Sequence, residues 1–186
     1  MLTRELFANL TADCQPIASK LRQYSFDDRT FIEEETRRLL KEGIIEPSNS
    51  PWRAQVVVTK HKNHRKRLAV DYSETINRFT LLDGYPLPRI DETVNKIAQY
   101  RVFSTIDLRS AYHQIPIQDT DKRYTAFESS GSLYEFTRVP FGVTNCVACF
   151  HESWTLSVKM RTLKPHLHIL IMLLYVVCQQ QIMTSI

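Results

Sequence analysis

The sequence predicts an α+β fold from two patterns. Apolar residues recur at helical spacing behind a capping serine, and two β-branched or aromatic stretches break at turn signals in the manner of hairpins. The length sets the scale, since 186 residues are enough for one domain with a real core.

Residues 1–24 show no clear period and are expected to be a loosely docked lead-in. Ser25-Phe26-Asp27-Asp28 resembles a capping box, with the acid three residues after the serine. Phe31, Ile32, Leu39 and Leu40 follow at helical spacing, and Gly43 can close the helix in the left-handed conformation. Glu33, Glu34, Glu35, Arg37 and Arg38 then take its wet side. From Ile44 to Pro51 two prolines fix the backbone of a rigid connector.

Gln55 to Thr59 and Leu68 to Tyr72 read as strands of a hairpin. Its tip is basic, because Lys60 to Arg67 holds five Lys or Arg in eight residues and no acid. Such a run is either a solvated loop or a phosphate-binding surface. Tyr85 to Pro88 is extended, and Asp91 is expected to cap a short helix carrying Val94, Ile97 and Ala98. Val102 to Ile106 reads as a strand ending at Asp107. Tyr124 to Phe127 and Leu133 to Phe136 form a second hairpin around Ser129-Ser130-Gly131. Thr144 onward is helical.

Composition excludes little. The net charge of +4 and pI near 8.9 are a mild bias toward polyanions. No apolar leader is visible at the N-terminus, so reduced thiols and an intracellular protein, cytoplasmic or nuclear, are expected. Cys146-Val-Ala-Cys149 is a lone C-x-x-C with no second pair, so zinc is not expected. Leu167 to Cys178 is almost entirely apolar, but its twelve residues are too few to span a bilayer, and no membrane partner is expected.

Asp107 ends an apolar strand, where a carboxylate emerges at a sheet edge; standing alone it could equally cap a helix. Four blocks give it context: GIIEPSNSPWRAQVVV (43–58), RLAVDYSETINRFTLLDGYPLPRIDETV (67–94), VFSTIDLRSAYHQIPI (102–117) and YTAFESSGSLYEFTRVPFGVTNCVACF (124–150). In order and spacing they resemble the reverse transcriptase of Ty3/Gypsy-type LTR retrotransposon Pol polyproteins, from about Pro16 to Phe150. The LYEFTRVPFGVTN stretch favours that branch over DNA-templated or telomerase-like polymerases.

The resemblance implies fingers and a truncated palm, with an antiparallel sheet backed by helices on one face. It divides the chain into the lead-in 1–24, fingers and palm 25–150, and a tail 151–186. It implies template–primer and deoxynucleotide as partners and Mg²⁺ as cofactor, a hard ion that carboxylate and phosphate oxygens hold. Asp107 would be the first metal-binding aspartate, helped by the Leu108 carbonyl. Lys60 and Arg67 would grip the triphosphate. Tyr112 would stack under the sugar and exclude a 2′-hydroxyl. Phe141 would pack near sugar and base, while Gly142 lets the backbone approach the base. Cys146 and Cys149 take positions where the family often has small packing residues. Thumb, connection, RNase H and protease regions are expected to lie outside this chain.

The pattern breaks in the tail. The family carries a second motif, Tyr-x-Asp-Asp or Tyr-Leu-Asp-Asn, yet no Asp or Glu follows Glu152. Trp154 has only the codon TGG, whose last base plus the AC of Thr155 makes an Asp codon. Read one nucleotide out of frame with permitted codons, Glu152 to Thr155 yields Val-Met-Asp. Leu167 to Leu173 likewise yields Ala-Tyr-Leu-Asp-Asn-Val. The expectation is a single-base frameshift between Phe150 and Glu152 and a catalytically dead chain, with a non-enzymatic nucleic-acid binder as the rival reading.

Overall fold

The computed structural model describes residues 5–60, 66–85, 89–98, 101 and 108–161. Its elements in chain order are α1 (Phe26–Lys41), β1 (Ile45–Pro47), β2 (Gln55–Lys60), β3 (Lys66–Asp71), α2 (Ile90–Ile97), α3 (Asp119–Lys122), β4 (Phe127–Ser129), β5 (Ser132–Phe136) and α4 (Cys146–Arg161). A 3-10 turn, Ile76–Phe79, follows β3. The chain divides into two compact units, one of Met1–Asp83 with Tyr112–Cys146 and one of Gly84–Ala111 with Val147–Ile186.

In the first unit, α1 begins where the sequence places it. The Asp28 N–H donates to the Ser25 hydroxyl at 3.2 Å, which satisfies one of the helix's open donors. The acid does not reach back to the cap's N–H. Instead it accepts the Ser25 hydroxyl proton at 2.8 Å. The helix ends in a Schellman arrangement: Gly43, at φ +66°, donates to the Leu40 carbonyl and Ile44 to that of Leu39, each at 3.0 Å. Ile32, Thr36 and Leu39 are its buried side chains.

Two antiparallel sheets follow. One is the β2–β3 hairpin, with Gln55 across from Asp71 and Lys60 across from Lys66. The other has the order β1-β5-β4. The first strand of the second hairpin starts at Phe127 rather than Tyr124, because Arg123–Thr125 forms a 3-10 turn before β4. Ser130 and Gly131 connect β4 to β5 with φ of +51° and +79°, the double positive φ of a type I′ turn.

Two expectations are corrected here. The connector after α1 contributes a strand, with Ile45 across from Phe136 and Pro47 across from Tyr134. Proline is tolerated because β1 is an edge strand and Pro47 its last residue. The lead-in is not loosely docked. Leu6 and Phe7 are buried at 3% and 4% exposure, each burial worth about 1.5–3 kcal/mol. The Leu6 N–H donates to the buried Asp121 carboxylate at 2.6 Å, and Leu10 and Ala18 form bridges to Thr80 and Arg53. Phe7 meets Tyr124 edge-on at 5.2 Å, and Tyr124 meets Trp52 at 5.8 Å. Periodicity cannot reveal a segment that docks by isolated side chains.

In the second unit, α2 has Arg89 rather than Asp91 at its N-cap position. Asp91 lies inside the first turn, where a carboxylate favours the helix dipole instead. Val94 is 57% exposed. Helix α4 runs on through buried Ala148, Cys149, Phe150 and His151, and Phe150 stacks on Trp154 at 6.1 Å. The expected strand 102–106, its Asp107, residues 86–88 of the extended stretch and the apolar run 167–178 lie outside the described residues. Among the described residues no helix is long and apolar enough to cross a membrane.

Candidate functional site

The β2–β3 ribbon presents two faces, because side chains alternate along a strand and facing residues share a side. Val56, Val58 and Lys60 share one face with Val70, Leu68 and Lys66, and Val56 and Val70 are buried. Gln55, Val57 and Thr59 share the other with Asp71, Ala69 and Arg67. The predicted pair Lys60 and Arg67 is therefore brought together at one end of the ribbon but leaves it by opposite faces. Both side chains are exposed, and among the described residues neither forms an ion pair. Residues 61–65 lie outside the description.

At the ribbon's other end sits the loop that contains Phe141 and Gly142. The Val139 N–H donates to the Ile115 carbonyl at 3.0 Å, which sets the loop's start beside the chain after Tyr112. Val139 and Val143 are buried at 0% and 2% exposure. Gly142 has φ +89°, and a Cβ there would lie 3.0 Å from the Val70 carbonyl oxygen and 3.6 Å from Cδ2 of Tyr72. The close approach the glycine permits is thus to the protein's own strand β3.

Two asparagines, which sequence reasoning missed, lock this loop. The Asn77 amide donates to the Gly142 carbonyl at 2.6 Å, and its oxygen accepts the Thr144 N–H at 3.0 Å. The Asn145 amide donates to the Leu81 carbonyl at 2.9 Å while its oxygen accepts the Asp83 N–H at 3.0 Å. Each bridges positions more than sixty residues apart, which no local pattern announces. Tyr72 anchors the strand beneath, its hydroxyl donating to the Thr125 carbonyl at 3.0 Å; burial pushes its phenol well above the ordinary range.

Tyr112 is 0% exposed and meets the Phe141 ring edge-on at 4.6 Å. Of the two predicted rings, only Phe141, 41% exposed, offers a surface. His113, also missed, lies 6.3 Å from Phe141 and 6.1 Å from Phe136. Burial holds its imidazole below the ordinary value, with the Arg38 charge adding to the effect. Cys146 and Cys149 are both buried, as small packing side chains are.

Asp107 lies outside the described residues, and Leu108 is partly exposed in the second unit. Among the described residues no three His, Cys, Asp or Glu gather at one place. In sequence the Asp107 carboxylate and the Leu108 carbonyl are adjoining oxygen donors, and no acid follows Glu152. A two-metal centre needs carboxylates to offset the repulsion of two dications.

Residues 51–169 match the family model for reverse transcriptase (RNA-dependent DNA polymerase). Among curated proteins, the chain is 35% identical over 149 residues to the retrovirus-related Pol polyprotein from transposon gypsy of Drosophila melanogaster. That match covers 77% of this chain and 14% of the relative. It is 37% identical to the transposon opus polyprotein of the same organism, covering 74% and 14%. The chain therefore spans about a seventh of the length of these relatives. Among solved structures, the prototype foamy virus protease-reverse transcriptase superposes with a TM-score of 0.73 at 24% identity, covering 85% of this chain and 21% of that one. A foamy viral protease-reverse transcriptase solved in complex with an RNA/DNA hybrid superposes with a TM-score of 0.69 at 17% identity, covering 86% and 21%.

Proposed function

Because the chain belongs to the reverse transcriptase family, we propose that it is the fingers and front palm of a Ty3/Gypsy-type RNA-directed DNA polymerase that holds template–primer and nucleotide without joining them. The observation that carries the reading is the paired construction around β3. A ring-bearing loop is locked against Val70, and two exposed cations stand three residues along at Arg67 and across the ribbon at Lys60. Three residues of strand are roughly 10 Å. A base or sugar at Phe141 and phosphates at the ribbon's end then belong to one ligand. Since Lys60 and Arg67 leave opposite faces, the phosphates lie across the ribbon's end rather than on either face. Tyr112 backs Phe141 from within the core.

Foamy viral relatives bound to an RNA/DNA hybrid and to double-stranded DNA support template–primer as the partner. An intracellular site of action follows from the same reading. Mg²⁺ is the ion the family uses, and Asp107 with Leu108 would form one side of its site. The other side is missing from residues 153–186, which hold no acid. The out-of-frame Tyr-Leu-Asp-Asn that the code permits across residues 167–173 supports a single-base frameshift as the cause.

Primer extension on poly(rA)/oligo(dT) with Mg²⁺ and dTTP tests the reading. The 186-residue chain gives no incorporation. Loss of an essential metal ligand removes several orders of magnitude of rate, each tenfold being about 1.4 kcal/mol of barrier. Restoring the frame in a longer chain restores synthesis, and Asp107→Asn in that chain abolishes it. Incorporation by the 186-residue chain that is sensitive to Asp107→Asn would overturn the proposal. Sequencing the DNA under residues 167–173 checks the cause: without a Tyr-x-Asp motif in either alternative frame, the frameshift is wrong.

A further inference from the structure

Lys66 stands directly across from Lys60 in the ribbon's register. Like charges on facing positions of an antiparallel pair repel. A carboxylate from the first turn of α1 meets this pair: Asp28 Oδ1 lies 2.7 Å from Lys66 Nζ. The other Asp28 oxygen accepts the Ser25 hydroxyl at 2.8 Å, so the capping residue of α1 holds the carboxylate in place. Lys66 Nζ also lies 5.9 Å from the centre of the Phe31 ring, one turn further along α1. The neighbouring sheet meets the same problem with opposite sign. There Glu46 faces Glu135, and Lys122 pairs with Glu46 at 2.9 Å.

We propose that Asp28 and Lys66 form a positioning latch, which fixes the end of the ribbon on α1, removes Lys66 from the phosphate-binding set and leaves Lys60 and Arg67 to serve it. The proposal rests on the reading that the ribbon meets phosphates. Of the basic run that looks uniform in sequence, one described member is thereby committed to the fold. Lys60 is spared from competing with Lys66 for one anion, because Lys66 already has one.

The test is binding of dTTP by the full chain at low and at high salt. A charge-assisted bond to phosphate is worth roughly tenfold or more in affinity. Lys60→Met therefore weakens dTTP binding about tenfold. Lys66→Met leaves it within about twofold. Asp28→Asn strengthens it at low salt, because released Lys66 then takes a phosphate, and Lys66→Met in that background cancels the gain. Asp28→Glu restores the original affinity. Equal losses of affinity in Lys66→Met and Lys60→Met overturn the latch, as does an unchanged affinity in Asp28→Asn. A second readout needs no ligand: Tm values for Asp28→Asn, Lys66→Met and the double variant are non-additive if the latch exists and additive if it does not. Should the original chain show no salt-dependent binding, the functional reading falls, and the Tm cycle alone decides the latch.

Discussion

The loop Val139–Asn145 is bonded by Asn77 at Gly142 and Thr144 and by Asn145 to Leu81 and Asp83, and it packs close to the Val70 backbone. The end of the β2–β3 ribbon, among the described residues, is held to α1 by the Asp28–Lys66 pair, with side chains 30% and 25% exposed. Both regions carry residues proposed to meet the nucleotide, and they sit at opposite ends of one strand. The difference shows how a site can be half preorganised. Side-chain amides bonded to loop backbone fix the peptide beside Phe141 without relying on an ion pair. A partly exposed ion pair is weaker and screened by salt, so the latch holds the ribbon's end less firmly than the amides hold the loop.

The largest test of that contrast is Gly142→Ala. It places a Cβ 3.0 Å from the Val70 carbonyl at a φ of +89°, so strain and displacement add. A stability loss of about 1–3 kcal/mol is expected from urea unfolding. A neutral outcome would mean that the loop is as adjustable as the ribbon, and the contrast would collapse. Asn77→Ala comes next. It removes two hydrogen bonds to loop backbone and leaves a carbonyl and an N–H to find water, for a loss of about 1–2 kcal/mol. Faster hydrogen exchange at the Thr144 N–H should accompany it, with little change along β2.

The smallest effect is the pH response of the latch. Hydrogen bonds from Lys66 and Ser25 hold the Asp28 carboxyl below its ordinary 3.8. A depressed carboxyl contributes stability above its unfolded value and loses it as pH falls through the folded one. The Asp28–Lys66 coupling in Tm is therefore constant from about pH 8 to pH 5 and disappears only in acid, below 3.8. Coupling already lost by about pH 5 would point to a different titrating group, such as a histidine.

Much of this was legible in the residues. Ser25 and Gly43 bound α1 on both sides because caps are local chemistry. The β2–β3 hairpin and the β4–β5 turn follow from alternation and turn residues only a few positions apart. Family membership is equally a property of the sequence, whose residues 51–169 match the family model, as is the lack of any acid after Glu152.

What only the tertiary structure decided is everything that pairs distant positions. Ile45–Pro47 became a strand because Phe136 and Tyr134, about ninety residues on, supply its partner edge. Leu6 docks because Asp121 offers a buried carboxylate 115 residues away. Gly142 is needed where Val70 passes, and Lys66 is claimed by Asp28 rather than left to phosphate. The physical reason is one of range. Propensity and capping act over one or two turns, whereas packing and ion pairing choose among groups whose proximity exists only after the chain has folded.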